Sequence, residues 1–151
     1  MRIFQAMDVS ASGLTSERLR LDVISNNLAN ANSTRTPEGG PYVRQVAVVA
    51  SRPAEPGKAG AGLAAAAGDP ARLAGNGVRV LGIVRDPSPP VLKYDPSHPD
   101  ADANGYVAMP NVNVVTEMVD MITAARAYEA NVTALNASKQ MILKALEIGR
   151  A

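Results

Sequence analysis

The sequence predicts an α+β fold in which two long terminal helices pair as a coiled-coil-like unit, with a small β region of about three to four short strands between them along the chain. Apolar residues spaced three and four positions apart at both ends indicate the helices. Alternating Val-rich runs in the middle indicate the strands. We divide the 151 residues into a terminal helix at 1–34, a middle β region at 35–110 with a flexible insertion at 51–76, and a second terminal helix at 111–151 that packs with the first.

The C-terminal helix has the stronger pattern. Its apolar seam continues for roughly five heptads between Asn113, the expected N-cap, and Gly149, and only Lys139 is out of pattern. At 1.5 Å per residue this helix is roughly 55 Å long, longer than a compact domain of this size needs. The seam residues are Val114, Met118, Met121, Ala125, Tyr128, Val132, Leu135, Ile142 and Leu146.

The N-terminal helix is expected from residue 3 to about residue 32, with a weaker seam in which Ser10 and Glu17 interrupt the apolar pattern. Gly13 is an interior helix glycine and costs about 1 kcal/mol relative to Ala, so something beyond local propensity must hold that turn. The apolar seam residues are Met7, Leu14, Leu21, Ile24 and Leu28.

Four asparagines follow in the last part of this helix, although Asn is a poor interior helix residue because its amide competes for backbone partners. They are Asn26, Asn27, Asn30 and Asn32. One interpretation is a fraying helix end that leads into a Pro-Glu-Gly-Gly loop at 37–40. The other is a set of polar locks, in which the amides form hydrogen bonds across closely packed helices.

The middle region contains β-rich runs at 42–50, 77–85 and 91–94, and a short extended run at 105–109 leads to the second helix. Between the first two runs the chain is rich in Ala, Gly and Pro and has few bulky apolar residues. We read it as an exposed, flexible insertion in which residues 57–68 can be deleted.

Composition excludes several functional classes. The net charge of +1 gives no electrostatic reason for a nucleic-acid or acidic-membrane partner, and five aromatic residues are too few for base stacking. Without Cys there are no disulfides, thiolate metal sites or Cys nucleophiles. The sequence contains no run of about 18 apolar residues, which is the length that a membrane-spanning helix needs. The N-terminus also lacks the apolar core of a signal peptide, so any export is expected to use a route without a cleaved signal.

Catalytic chemistry has one weak candidate, His98, which is flanked by Asp95, Asp100 and Asp102. An oxygen-rich metal site is conceivable there. Turn-forming residues dominate the segment, however, and a structural loop is the preferred interpretation. A loose dinucleotide-like glycine pattern at 60–65 lacks the preceding strand that such a site needs. We therefore expect no enzyme activity, no cofactor and no metal.

Several runs resemble a known family. The segment from Ser12 to Asn32, followed by Gly39-Gly-Pro-Tyr42, resembles the N-terminal signature of bacterial flagellar rod and hook proteins. The runs at 94–115, 117–122 and 126–136 are similar to flagellar basal-body rod proteins in particular.

This resemblance implies a structural subunit of the proximal rod, whose terminal helices pack around the export channel, transmit torque, and leave the β region facing outward. It implies export through the flagellar type III apparatus and assembly in the part of the basal body that spans the periplasm. The implied partners are other proximal and distal rod proteins, the rod-base adaptor, the membrane ring and copies of the same chain, with no nucleic acid and no membrane insertion.

The residues themselves leave an alternative open, a soluble helical adaptor that captures a partner helix. Both hypotheses share one physical expectation. The apolar stripes are wider than a two-helix seam can cover, so surplus apolar surface must be sheltered by other chains. We expect the seam residues of both helices to carry that assembly and the four asparagines to act as polar locks.

Overall fold

The computed structural model describes residues 2–52 and 77–149. Most of the predicted insertion therefore lies outside the described residues, and its flexibility, the dispensability of 57–68 and the glycine pattern at 60–65 stay predictions. The described elements confirm the α+β expectation of two terminal helices around short strands. In chain order they are α1 (Arg2–Ala29), β1 (Gln45–Ser51), β2 (Val78–Arg85), β3 (Val91–Tyr94), β4 (Tyr106–Met109) and α2 (Val114–Ile148).

Helix α1 ends slightly before its expected end, within the asparagine-rich segment. The Asn30 N–H still reaches the Asn26 carbonyl at 3.1 Å, but the Ala31 N–H bonds to the Leu28 carbonyl and the Ser33 N–H to the Asn30 carbonyl. Such three-residue spacings tighten the last turn and release the chain from the helix.

Helix α2 begins where its capping residue predicts. The Asn113 side-chain oxygen accepts hydrogen bonds from the N–H groups of Val115 and Thr116, at 3.0 and 3.2 Å. These bonds satisfy two of the otherwise unpaired donors at the helix N-terminus. In the described ranges, neither helix is long and apolar enough to cross a membrane.

The strands form two separate two-stranded sheets, β1 with β2 and β3 with β4. The β3–β4 pair is antiparallel, with Val91 opposite Met109 and Tyr94 opposite Tyr106. Strand β1 starts at residue 45 rather than 42, because the Tyr42 N–H bonds to the Ser33 carbonyl, outside the sheet.

The chain divides into two compact units. Unit 1 comprises Met1–Arg18, Val49–Leu81 and Arg126–Ala151, and unit 2 comprises Leu19–Val48 and Gly82–Ala125. Among the described residues, the buried aliphatic side chains all belong to unit 2, and they are Val23, Ile24, Val107 and Ala124. Buried polar residues are as prominent, and include Ser12, Ser16 and Ser138 in unit 1 and Asn27 and Glu117 in unit 2. Polar side chains therefore occupy part of the buried surface that apolar seam residues would fill in a regular coiled coil.

Candidate assembly interface

Asn27 is the centre of a buried hydrogen-bond network in unit 2. Its side-chain Nδ2 donates to the Gln45 carbonyl at 2.8 Å and to Glu117 Oε2 at 3.0 Å. Its Oδ1 accepts from the Tyr42 hydroxyl and from the Gln45 N–H, each at 2.9 Å. The residue is 1% exposed. A primary amide offers two donors and two lone pairs, and this one uses all four.

Glu117 and Arg44 form the charged part of the same network. Glu117 is 0% exposed, and its Oε1 accepts a hydrogen bond of 2.6 Å from Arg44 Nε. The guanidinium also reaches Asp86 Oδ2 at 3.4 Å. Burial alone would lower the pKa of Arg44, but hydrogen bonds and charge attraction from Glu117 and Asp86 outweigh it and raise that pKa. The arginine is therefore held as a cation next to a fully buried carboxylate.

Tyr42 extends the network to the loop between α1 and β1. Burial raises the pKa of its hydroxyl, and the charge of Glu117 raises it further. The phenol thus stays protonated and keeps its role as donor to Asn27.

Asn111, just before α2, joins the start of β1 to the end of β2. Its Oδ1 accepts from the Arg44 N–H at 2.8 Å, while its Nδ2 donates to the carbonyls of Asp86 and Ser88 at 3.3 and 3.1 Å. The side chain therefore positions the backbone that carries Arg44.

A small cavity beside this network holds no more than water-sized molecules. Its volume is about 60 Å³, far below the few hundred Å³ typical of a ligand pocket. Charged side chains of Arg20, Arg44, Glu117 and Asp120 line it together with apolar Val23 and Ile24. The distances of 3.7 Å from Asp120 to both guanidinium groups are too long for direct hydrogen bonds. This geometry suits bridging water rather than a cofactor.

The other three predicted polar locks do not join the buried network. Asn30 Nδ2 donates to both the backbone carbonyl and the Oδ1 of Asn26, each at 2.9 Å, which is a local bond along one helix edge. Asn26 and Asn32 are exposed. Within the part of the chain that the structure describes, Asn27 alone of the four asparagines bonds across to another element, and the remaining three stay predictions for contacts with other subunits.

On α2 the buried positions lie one residue N-terminal to part of the predicted seam. Glu117, Ala124 and Ser138 are buried, whereas Lys139 is exposed. The exposed predicted residues are Val114, Met118 and Leu146, and the half-buried ones are Met121, Ala125, Tyr128, Val132, Leu135 and Ile142. The packed side of α2 thus has small or polar residues at one of its two heptad positions. The other heptad position carries the half-buried apolar residues of the predicted seam. This arrangement also explains why Lys139 is tolerated.

Helix α1 shows the same preference for small and polar residues on its buried side. Ser12, Ser16 and Asn27 are buried together with Val23. Among the predicted seam residues, Ile24 is buried, whereas Met7, Leu14, Leu21 and Leu28 are half-buried. The leucines therefore keep part of their surface exposed.

Gly13 explains how the helices approach in unit 1. A Cβ atom at this position would lie 3.0 Å from Asn131 Nδ2 on α2. The absence of a side chain therefore lets α2 pack closely here, and this close approach is the tertiary constraint that the interior glycine required.

A second apolar stripe on α2 remains exposed within unit 2. Val115, Met118, Val119 and Ile122 are 51–72% exposed. Their spacing of three and four residues places them on one helix face. We call these four residues the outer stripe. Arg126 and Glu129 follow it on the same side and end it.

The carboxylates of the loop around His98 are used in contacts within the protein, local for Asp95 and Asp102 and long-range for Asp100. Asp100 accepts a hydrogen bond from the Thr34 hydroxyl at 2.8 Å and pairs with Arg35. Asp95 accepts from Ser97, and Asp102 from backbone N–H groups that follow it. Within residues 2–52 and 77–149, no cluster of three or more His, Asp and Glu side chains is arranged to hold a metal ion.

Sequence reasoning did not single out Tyr42, Arg44, Asn111 or Glu117 as site residues. One signal was available for Glu117, a charged side chain one position from an apolar seam at the start of a long helix. Its partner Arg44 lies 73 residues away in a β-rich run, and nothing in periodicity connects the two.

Comparison with known proteins shows which family this chain is similar to. The family described as "Flagella basal body rod protein" matches residues 7–35, and that described as "Flagellar basal body rod FlgEFG protein C-terminal" matches residues 103–148. Flagellar basal-body rod protein FlgC of Borreliella burgdorferi is 51% identical over 98% of both chains. The FlgC proteins of Bacillus subtilis and Salmonella typhimurium are 46% and 41% identical over 99% of this chain and 100% of theirs. This chain belongs to the FlgC family. As a member of the FlgC family it is a structural subunit of the proximal rod of the flagellar basal body. The segments matched by the two family descriptions include Asn27 and Glu117, so the buried network joins those segments.

Proposed function

We propose that this chain polymerises through its two terminal helices to build the wall of the proximal rod, where it encloses the export channel and transmits motor torque. The division into terminal helices at 1–34 and 111–151 and a middle region at 35–110 is part of this proposal. The observation that carries it is the outer stripe, a run of exposed apolar side chains on a helix whose opposite side is already packed. Such a face is sheltered only by another chain.

Small and polar residues on the buried side of both helices support a stiff wall. Gly13 lets α2 approach α1 closely, Ser12 and Ser16 are buried on the same helix, and interiors packed at crystal-like density have low compressibility. The half-buried leucines then remain able to contact neighbouring subunits. Torque would pass through such contacts without large deformation.

The partners in this proposal are other proximal and distal rod proteins, the rod-base adaptor, the membrane ring and copies of the same chain, in the part of the basal body that spans the periplasm. Export would use the flagellar type III apparatus without a cleaved signal. A chain without Cys is compatible with passage in an unfolded state, because no disulfide can form before or after export. The role is structural rather than enzymatic, which fits the use of each carboxylate around His98 in a hydrogen bond to the protein itself.

A charge placed in the outer stripe tests the proposal. Ile122→Glu introduces a carboxylate at an exposed apolar position, and Thr123→Glu places the same charge at the next exposed position, roughly 100° around the helix. We expect both variants to keep their helical circular dichroism. In cells whose native copy is deleted, Ile122→Glu should be exported but absent from purified basal bodies, and the cells should be non-motile.

Thr123→Glu should enter basal bodies and restore motility. Normal incorporation of Ile122→Glu would contradict assembly through this face. Equal loss with Thr123→Glu would show that any added charge on this helix is harmful, and would also contradict it.

A further inference from the structure

The orientation of α2 in unit 2 is not the one that buries the most apolar residues. Glu117 is inside and Met118 is 51% exposed, although the two are adjacent in sequence. Neighbouring helix positions are about 100° apart, so a rotation of α2 about its axis by that angle would expose Glu117 and bury Met118. After that rotation Val114, Met118 and Met121 would line the buried side, and more apolar surface would leave water.

Something specific must oppose that rotation, and the described contacts identify it. Glu117 Oε1 accepts from Arg44 Nε at 2.6 Å, and Glu117 Oε2 accepts from Asn27 Nδ2 at 3.0 Å. The two partners come from α1 and from the residue just before β1. If α2 rotated, Arg44 and Asn27 would both lose a buried partner, which is strongly destabilising.

Replacing a buried ion pair by apolar residues is often neutral or stabilising, so such a cluster is weak evidence for stability by itself. Its best-attested use is to select one register among several. That use fits here, because the competing orientation is more apolar than the observed one.

We propose that Asn27, Arg44 and Glu117 form a register lock, which holds α2 in the orientation that buries Glu117 and displays Met118 with the rest of the outer stripe. The three are positioning residues that act on the outer stripe without touching its partner. The consequence for rod assembly rests on the proposed function. The orientation of α2 does not, and it can be measured on the isolated chain.

The absence of Cys makes a thiol probe straightforward. Met118→Cys places the only thiol at the position whose exposure should change, and Val119→Cys is the matched control, which stays outside the seam in both orientations. Each is made in the native background and in a lock-free background with Asn27→Leu and Arg44→Met, which leaves Glu117 without partners. The measurement is the rate of maleimide labelling of the folded chain.

In the native background both thiols should react quickly. In the lock-free background labelling of Cys at 118 should slow by roughly tenfold or more, because a buried thiol reacts only through local opening, while the control at 119 should change little. A third background carries Arg44→Lys alone, which keeps a cation beside Glu117. It should preserve fast labelling at 118, whereas a role of Arg44 in packing alone would not predict rescue by Lys.

Unchanged labelling at 118 in a folded lock-free chain would overturn the proposal. Loss of the helical circular dichroism signal in that background would overturn it as well, since a lock needs a folded alternative to exclude. A rod-assembly defect with normal labelling would count against the proposed function of the outer stripe and not against the lock, so the two failures are distinguishable.

Discussion

Arg44 Nε donates a 2.6 Å hydrogen bond to Glu117 Oε1, and the accepting residue is fully removed from solvent. These two residues, 73 positions apart, connect the start of β1 to the first turn of α2. The guanidinium supplies the counter-charge that the buried carboxylate needs.

Removal of the cation should therefore be costly. We expect Arg44→Ala to lower the free energy of unfolding by about 3 kcal/mol, because Glu117 is left as an unpaired buried charge. Urea denaturation followed by circular dichroism measures this. Arg85→Ala is the control, since Arg85 and its partner Glu38 are both exposed and such surface pairs contribute little to stability. Equal effects of the two substitutions would contradict the central role of Arg44.

The amide of Asn27 should matter far more than that of its neighbour. Asn27→Ala removes four hydrogen bonds from a buried site and should lower the free energy of unfolding by about 2 to 4 kcal/mol. Asn26→Ala affects an exposed side chain and should cost less than about 1 kcal/mol. The same denaturation experiment compares them. A large loss for Asn26→Ala would mean that the exposed amide has an unrecognised role in the isolated chain.

Substitutions at Gly77 and Gly40 distinguish two costs of adding a side chain, backbone strain at positive φ and steric overlap with a neighbouring residue. Both glycines have a positive φ, 74° and 77°, so Ala at either position is strained by about 1 to 2 kcal/mol. A Cβ at Gly77 would also overlap the Ser12 hydroxyl, whereas among the described residues none but the chain neighbours of Gly40 lies within 4 Å of a Cβ there. Thermal denaturation should therefore show a clearly lower Tm for Gly77→Ala than for Gly40→Ala. Similar Tm values would show that Ser12 moves aside without cost.

Asp100 should make the stability depend on pH in acid. The hydrogen bond from Thr34, followed by the charge of Arg35, holds the pKa of Asp100 below its usual value. A carboxylate with a depressed folded-state pKa adds stability that is fully present above its unfolded pKa of about 3.9 and is lost as the pH falls through the folded value.

Between about pH 5 and pH 2, the native chain should therefore lose more stability than Asp100→Asn does. Denaturation midpoints at several pH values measure the difference, with the exposed Asp22→Asn as control. Parallel curves for the native chain and Asp100→Asn would contradict a native-state role for the Thr34 and Arg35 contacts.

Much of the architecture could be predicted because it depends on local patterns. The three- and four-residue apolar spacing and the Asn113 cap predict α2, and alternating Val residues predict the strands to within a few residues. The residues of the candidate site were harder to predict from the sequence. A stripe wider than one seam does not reveal which of its edges is buried, and Met118 was a better seam residue by pattern than Glu117. Gly13 could be marked as needing a tertiary reason, but its neighbour Asn131 could not be inferred.

The sequence by itself determined the two helices, the order of the strands and the resemblance to flagellar rod proteins, since these depend on periodicity, capping and motif. Only the tertiary structure decided the orientation of α2. The decision depends on the hydrogen bonds that Glu117 makes with Arg44 and Asn27, residues far from it in the chain. In the proposed lock, the cost of leaving Arg44 and Asn27 without a buried partner outweighs the extra apolar burial, so the polar contacts set the register.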